Sequence, residues 1–340
     1  MSLVSRQSMS LEIDALPERA ADTARTPAAV GAPCKAVGLS RTLIRPPQGW
    51  RLVDVRELWQ YRELLYFLTW RDVKVRYKQT ALGAAWAILQ PLLMMVVFSV
   101  FFGRLAHIDS GEAPYPLFAF AGLLPWTFFA TAIANAGNSV VGSERLITKV
   151  YFPRLAIPFA SVGAALVDFA VAFGMLFVLM LFYGVAPGPN VFAVALVVPV
   201  LLLSALGVGA LLAALNVAFR DFRYVIPFLV QLWMFATPTV YMPTANETTS
   251  DSRVLLSERQ TSGFVRPAAT TDSTASVTHW VKRLLKLNPM TGLIAFFRAS
   301  VLGGPLPWRS LVWSSVGAAA VLIVGCLYFR RVEDSFADII

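Results

Sequence analysis

The chain has 340 residues, of which 57% are hydrophobic and only 14% charged. Soluble domains carry about 45–50% apolar and about 25% charged residues, so this balance excludes an ordinary soluble domain and points to a lipid bilayer. The net charge of +9 is dispersed between hydrophobic runs, which argues against a nucleic-acid surface and for cations facing anionic lipid.

Residues 1–50 are rich in Ala, Pro, Ser, Thr and Arg, without sustained apolar periodicity or an apolar core of signal-peptide length. They read as a disordered cytoplasmic tail. A transit peptide is the alternative, opposed by Glu12, Asp14, Glu18 and Asp22. Residues 51–80 form the next unit. Leu58, Tyr61, Leu65 and Leu68 recur at helical spacing, with Arg56, Glu57, Arg62 and Glu63 between them. The pattern predicts an amphipathic helix over Asp54–Trp70 that is too charged to span. It is expected in the interface plane, with Trp59, Tyr61 and Trp70 at headgroup depth. The alternative is a helix packed on a cytoplasmic subunit. Arg71–Pro91 then opens with four cations and one anion in eight positions and turns almost purely apolar. It marks the crossing from a basic cytoplasmic surface into the membrane.

Residues 81–331 are predicted to hold six spans, near Ala84–Phe102, Leu117–Ala136, Ile157–Tyr183, Val191–Leu215, Val225–Met242 and Trp308–Phe329. The first contains Pro91, tolerated when neighbours satisfy the freed carbonyl. Between the second and third lies the short charged stretch Ser143–Arg154, partly helical in pattern. The fourth ends at Asn216–Tyr224, with Arg220, Asp221 and Arg223. Residues 243–287 form an external, Ser/Thr-rich loop closing on a basic amphipathic piece, His279–Leu287. Residues 288–304 are apolar, too short to span, and contain Arg298, so a re-entrant or interfacial helix is expected before the last span. Residues 332–340 form a short tail. Arg145, Lys149, Arg154, Arg220, Arg223, Arg330 and Arg331 fall on the same side as Arg71–Lys78. That side is expected to be cytoplasmic, with both termini on it. The basic residues of the 243–287 loop run against this rule.

Enzyme chemistry is not legible. There is no Gly-x-x-x-x-Gly-Lys-Ser/Thr loop, so no ATPase site of that type is expected in this chain. His107 and His279 lie in different polar loops, Cys34 and Cys326 are far apart, and no metal, zinc or disulfide pattern results. No nucleophile motif and no Asp-x-Asp pair is present. Asp168 is the one carboxylate inside a predicted span. An intramembrane ionisable group is a functional candidate by default. A proton-coupled role, a protonated bystander, and a pairing with another helix all remain open for it.

Four motifs occur in order: Arg71-Asp72-x-Lys74-x-Arg76-Tyr77-Lys-Gln-Thr-x-Leu82-Gly83-x-x-Trp86-x-x-Leu-Gln90-Pro91; Tyr151-Phe152-Pro153-Arg154; Asn216-Val217-x-Phe219-Arg220-Asp221-Phe222; and Asn288-Pro289-Met290 followed by Phe297-Arg298. Through them, residues 54–331 resemble the membrane subunit of ABC-type polysaccharide or polyol-phosphate exporters, the O-antigen, capsule and teichoic-acid export family of type-2 ABC permeases. The resemblance implies an all-α polytopic membrane protein acting as a homodimer in the bacterial inner membrane. It also implies pairing with two copies of a separate P-loop ATPase that brings ATP and Mg. The substrate would be a polyprenyl-diphosphate-linked glycan or polyol-phosphate polymer. By the same resemblance, Asp54–Trp70 is a gate helix. Glu144, Arg145, Lys149, Tyr151, Phe152, Arg154, Arg220 and Asp221 are candidates for coupling to the ATPase. Arg71, Lys74, Arg76 and Tyr77 are candidates for the gate or the lipid diphosphate, with headgroup anchoring as the alternative. Trp86, Gln90, Phe98, Phe101, Gln231, Trp233 and Tyr241 are candidates to line a polymer pore, with ordinary helix or lipid packing as the alternative. The 243–287 segment is longer than this family usually shows. Two other readings stand beside the exporter: an ATP-independent channel or proton-coupled carrier using Asp168, and a type-2 permease for small drugs or lipids.

Overall fold

Uncharged runs of Ala, Val, Leu and Phe leave their backbone no water to bond, so each must close its hydrogen bonds internally as helix. The computed structural model describes residues 59–78, 85–105, 113–149, 152–237 and 288–333. These belong to one unit of the chain, residues 48–340. Every regular element among them is helical: α1 (Arg62–Lys78), α2 (Ala85–Phe98), α3 (Tyr115–Gly142), α4 (Glu144–Ile147), α5 (Ala156–Phe182), α6 (Val194–Ala218), α7 (Phe222–Phe235), α8 (Pro289–Leu302) and α9 (Trp308–Glu333). A π-helix, Ser99–Leu105, continues α2, and a 3-10 turn, Pro189–Ala193, leads into α6. The expected all-α polytopic architecture is borne out. The tail over residues 1–50, the loop over 243–287 and residues 334–340 lie outside the described residues.

Among the described residues, five helices are long and apolar enough to cross a membrane: Ala85–Gly103, Tyr115–Gly142, Ala156–Phe182, Pro189–Ala218 and Trp308–Glu333. These correspond to the first four expected spans and the last. The expected fifth span differs. α7 starts at Phe222, three residues early, and closes at Ala236 in a turn ahead of Pro238. Proline disfavours helix in the residue before it. Its 14 residues cover about 21 Å at 1.5 Å per residue, short of a hydrocarbon core of about 30 Å. α8 also has 14 residues, in keeping with a segment too short to span. Asn288 caps its start by accepting from the Met290 amide at 3.1 Å, and Gly303 ends it in the left-handed region at φ 82°.

α1 also departs from expectation. The helix does not stop at Trp70 but runs through the basic stretch to Lys78. No Gly or Pro interrupts that stretch before Gly83, so nothing local breaks it. Leu68 is buried, and α1 packs against the first half of α5, where Asp72 accepts from the Ser161 hydroxyl at 3.4 Å. Trp59, Tyr66, Phe67 and Trp70 are exposed.

α3 is the central helix: 78% of its apolar window is inside the bundle, against 11% for Ala85–Gly103. Leu117, Phe120, Phe129 and Ile133 are fully buried, and α5, α6, α8 and α2 surround it. α6 and α9 meet most closely at Gly207 and Gly325. A Cβ on Gly207 would lie 2.5 Å from the Leu322 amide nitrogen, and one on Gly325 would collide with the Gly207 carbonyl. Small residues permit such backbone approach, and between membrane helices van der Waals packing replaces the hydrophobic driving force.

Candidate functional site

The chain alternates direction through α3, α5 and α6, so the 143–154 and 219–221 loops emerge at the same end of the bundle as the C-terminus of α9. The first loop is a single amphipathic turn. Glu144, Arg145, Thr148 and Lys149 are exposed, while Ile147 is buried beneath them with Val140, Phe152 and Leu155. Phe152 therefore anchors the loop and does not project from it. Arg154 is half-buried. Its amide donates to Glu333 Oε1 at 3.2 Å and its guanidinium to the Glu333 carbonyl, so it braces the loop against the end of α9. The second loop presents Phe219, Arg220 and Asp221 to the outside, with Arg223 and Tyr224 following. Tyr151 lies outside the described residues.

Both loops are held by one buried side chain. Asn216, at the end of α6, donates to the Gly137 carbonyl at 2.8 Å and to Asn138 Oδ1 at 3.2 Å. Asn138 in turn donates to the Ala134 carbonyl at 2.8 Å. These bonds tie the loop-bearing ends of α3 and α6 to each other. Sequence reading placed Asn216 in a motif but gave it no partner. A buried amide needs one, and that was the available signal.

A second feature opens behind this end. Arg76 and Tyr77, at the C-terminus of α1, both reach Asp168: the guanidinium pairs with Oδ2 and the phenol donates to Oδ1. Asp168 lies about 18 Å along α5 from Ala156 at 1.5 Å per residue. Tyr77's hydroxyl is pushed up to about 12, first by burial and then by Asp168, so it stays a neutral donor. These three residues, with Trp86, Gln90, Thr127, Thr131, Asn135 and Phe128, line a cavity of about 260 Å³ between α1, α2, α3 and α5. Trp86 and Gln90 stand one helical turn apart on α2; Thr127, Thr131 and Asn135 stand at every fourth position of α3. That polar stripe inside a span was legible in the sequence and was missed there.

The pore candidates do not all converge. Trp86 and Gln90 share the cavity. Phe98 packs on Phe102, centroids 5.7 Å apart, beside Tyr115 and Phe118. Phe101 and Gln231 are exposed on α2's π-helical continuation and on α7. Trp233 turns inward, edge-to-face on Phe129 at 5.1 Å, and donates to Asn288 Oδ1 at 3.0 Å. Tyr241 lies outside the described residues. Of the gate candidates, Arg71 and Lys74 are exposed, Arg71 pairing locally with Asp72 at 2.9 Å. No group of three or more metal-ligating side chains is found among the described residues.

Charged loops lie together at one end of an apolar helical bundle, tied by the buried amide of Asn216. A family model for ABC-2 type transporters matches residues 63–247, from the start of α1 past the end of α7. The chain belongs to the ABC-2 type transporter family. It is a membrane subunit of a transport system of that type. It is 32% identical over 285 residues to the O-antigen export system permease protein RfbA of Myxococcus xanthus, covering 84% of this chain and 98% of that protein. Similarity to the protein of the same name in Klebsiella pneumoniae is 24% over 279 residues, covering 82% and 95%. The polysialic acid transport protein KpsM of Escherichia coli is 22% identical over 165 residues, 47% of this chain and 63% of that protein. In this ABC-2 chain the matched region holds both loops and the whole cavity lining.

Proposed function

We propose that the chain is the transmembrane subunit of an ATP-driven exporter that carries a polyprenyl-diphosphate-linked, O-antigen-like polysaccharide across the bacterial inner membrane. It acts as a homodimer with two copies of a separate P-loop ATPase, and ATP and Mg are bound by that partner. The end bearing the 143–154 and 219–221 loops faces the cytoplasm, as do both termini. The observation that carries the reading is the near full-length similarity to a protein named for O-antigen export. The exposed charges of Glu144, Arg145, Lys149, Arg220 and Asp221 support it, because rim charges set register and on-rate against a soluble partner. In this reading Arg71 and Lys74, exposed at the basic end of α1, meet the lipid diphosphate.

The test is affinity purification from the native membrane with mass spectrometry of what accompanies the chain. A P-loop ATPase is expected in equal amount. Glu144→Lys and Lys149→Glu should each weaken its recovery about tenfold, the effect of losing about 1.4 kcal/mol of charge complementarity, while the permease still inserts. Arg154→Glu would be a poor probe, since it also breaks the brace to Glu333. Active preparations that repeatedly carry no ATPase would overturn the reading.

A further inference from the structure

The cavity between α1, α2, α3 and α5 has a polarity that the loops and the family do not explain. Its only cation among the lining residues is Arg76, and Asp168 already holds that charge. What remains is uncharged. Gln90, Thr131 and Asn135 have no hydrogen-bond partner among the described residues, and Trp86 is half exposed. Two amides and a hydroxyl offer donors and acceptors together. An indole face offers apolar contact to a ring with polar edges. A phosphate would find no free cation among the lining residues, because a carboxylate already pairs with the one guanidinium. Cations with no ion-pair partner among the described residues lie elsewhere, at Lys74 and Lys78 on the exposed side of α1.

We propose that this cavity is a subsite for a neutral sugar ring of the lipid-linked glycan, with Trp86, Gln90, Thr131 and Asn135 as its contacts, while the diphosphate stays outside on the exposed cations of α1, Arg71, Lys74 and Lys78. The proposal rests on the exporter reading and specifies which part of the substrate this site takes. The size agrees. About 260 Å³ is below the roughly 300 Å³ at which drug-sized pockets begin, a size that suits a single ring with the rest of the chain leaving through the open side. The ion pair leaves the cavity without net charge, so an anion finds no free cation there, while the carboxylate oxygens of Asp168 can still accept from a sugar hydroxyl.

The experiment uses the full chain with its co-purified partner in nanodiscs, with Cys34→Ser and Cys326→Ala removing the native thiols. Thr131→Cys and Asn135→Cys are labelled with a small maleimide, and Thr148→Cys in the exposed loop serves as the control. Three probes compete: the lipid-linked glycan fraction extracted from the native membrane, sugar-free polyprenyl diphosphate, and inorganic pyrophosphate. At about ten times its Kd, the glycan fraction should slow labelling of both cavity variants about tenfold and leave the loop control unchanged. The two sugar-free probes should slow neither. Equal protection by polyprenyl diphosphate or pyrophosphate would overturn the proposal in favour of an anion site. Glycan that stimulates ATP hydrolysis in the same nanodiscs without protecting either variant would overturn the proposal and leave the exporter reading standing. Glycan that neither protects nor stimulates hydrolysis would overturn both.

Discussion

Replacing Asp168 separates a structural tie from a proton-carrying group. The side chains of Arg76 and Asp168 are 31% and 20% exposed. The pair therefore lies between exposed pairs, worth about 0.2–1 kcal/mol, and buried ones, whose breakage costs about 3–5 kcal/mol. Asp168→Asn keeps one acceptor oxygen for the Arg76 guanidinium, turns the other into an NH2 from which the Tyr77 hydroxyl must accept, and removes the charge, so it should cost about 1–2 kcal/mol. Asp168→Leu removes both acceptor oxygens beside the Arg76 guanidinium and should cost about 2–4 kcal/mol. In the double variant Arg76→Gln/Asp168→Asn, two neutral polar groups face each other. The cycle should then return a coupling energy of about 1 kcal/mol. Thermal unfolding of the purified complex reads these as about 2–4 °C per kcal/mol. Glycan export by Asp168→Asn should remain within a few-fold of the parent. Abolished transport, with unchanged Tm and normal ATPase recovery, would refute the tie and bring forward the proton-coupled carrier. A coupling energy of zero would show that the pair holds nothing.

Two further outcomes follow from packing and capping. Gly207→Val forces a side chain against the Leu322 backbone, 2.5 and 2.6 Å from its nitrogen and Cα. The α6–α9 crossing must widen, at about 1–3 kcal/mol or more. Gly142→Val, with nothing within 4 Å of its Cβ, is the matched control, and equal Tm values for the two would refute the close crossing. Asn288→Ala removes the α8 cap and strands Trp233 Nε1, while the Thr237 hydroxyl loses the Asn288 Nδ2 donor at 2.8 Å but keeps its own bond to the Trp233 carbonyl. It should cost about 2–4 kcal/mol and speed amide exchange in the first turn of α8. Trp233→Phe keeps the ring on Phe129 and should cost only about 1 kcal/mol. Unchanged exchange in α8 with Asn288→Ala would refute the role given to that asparagine.

What was legible in advance follows from the solvent. A bilayer forces apolar runs into helices one by one, so α3, α5, α6 and α9 could be drawn from composition alone, and their ends moved by only a few residues. The short, buried α8 was legible for the same reason, through its length and its arginine. α7 was not: the run over Val225–Met242 has the composition of a span, and the turn at Ala236 depends on Pro238. Charge placement showed which loops stay out of the lipid, but not that Arg154 is spent on Glu333 while Glu144 and Lys149 remain available. Motif order was enough to indicate the type-2 ABC permease family. By itself, then, the sequence determined the long apolar helices, the membrane class and the family, because hydropathy and local spacing are one-dimensional properties. Only the tertiary structure decided that Arg76 and Tyr77 cross to Asp168, that Asn216 joins two loops, and that Trp86, Gln90, Thr131 and Asn135 face one cavity. Those contacts join residues tens of positions apart. They depend on which face each helix turns to its neighbours, and helix-by-helix hydropathy does not record that.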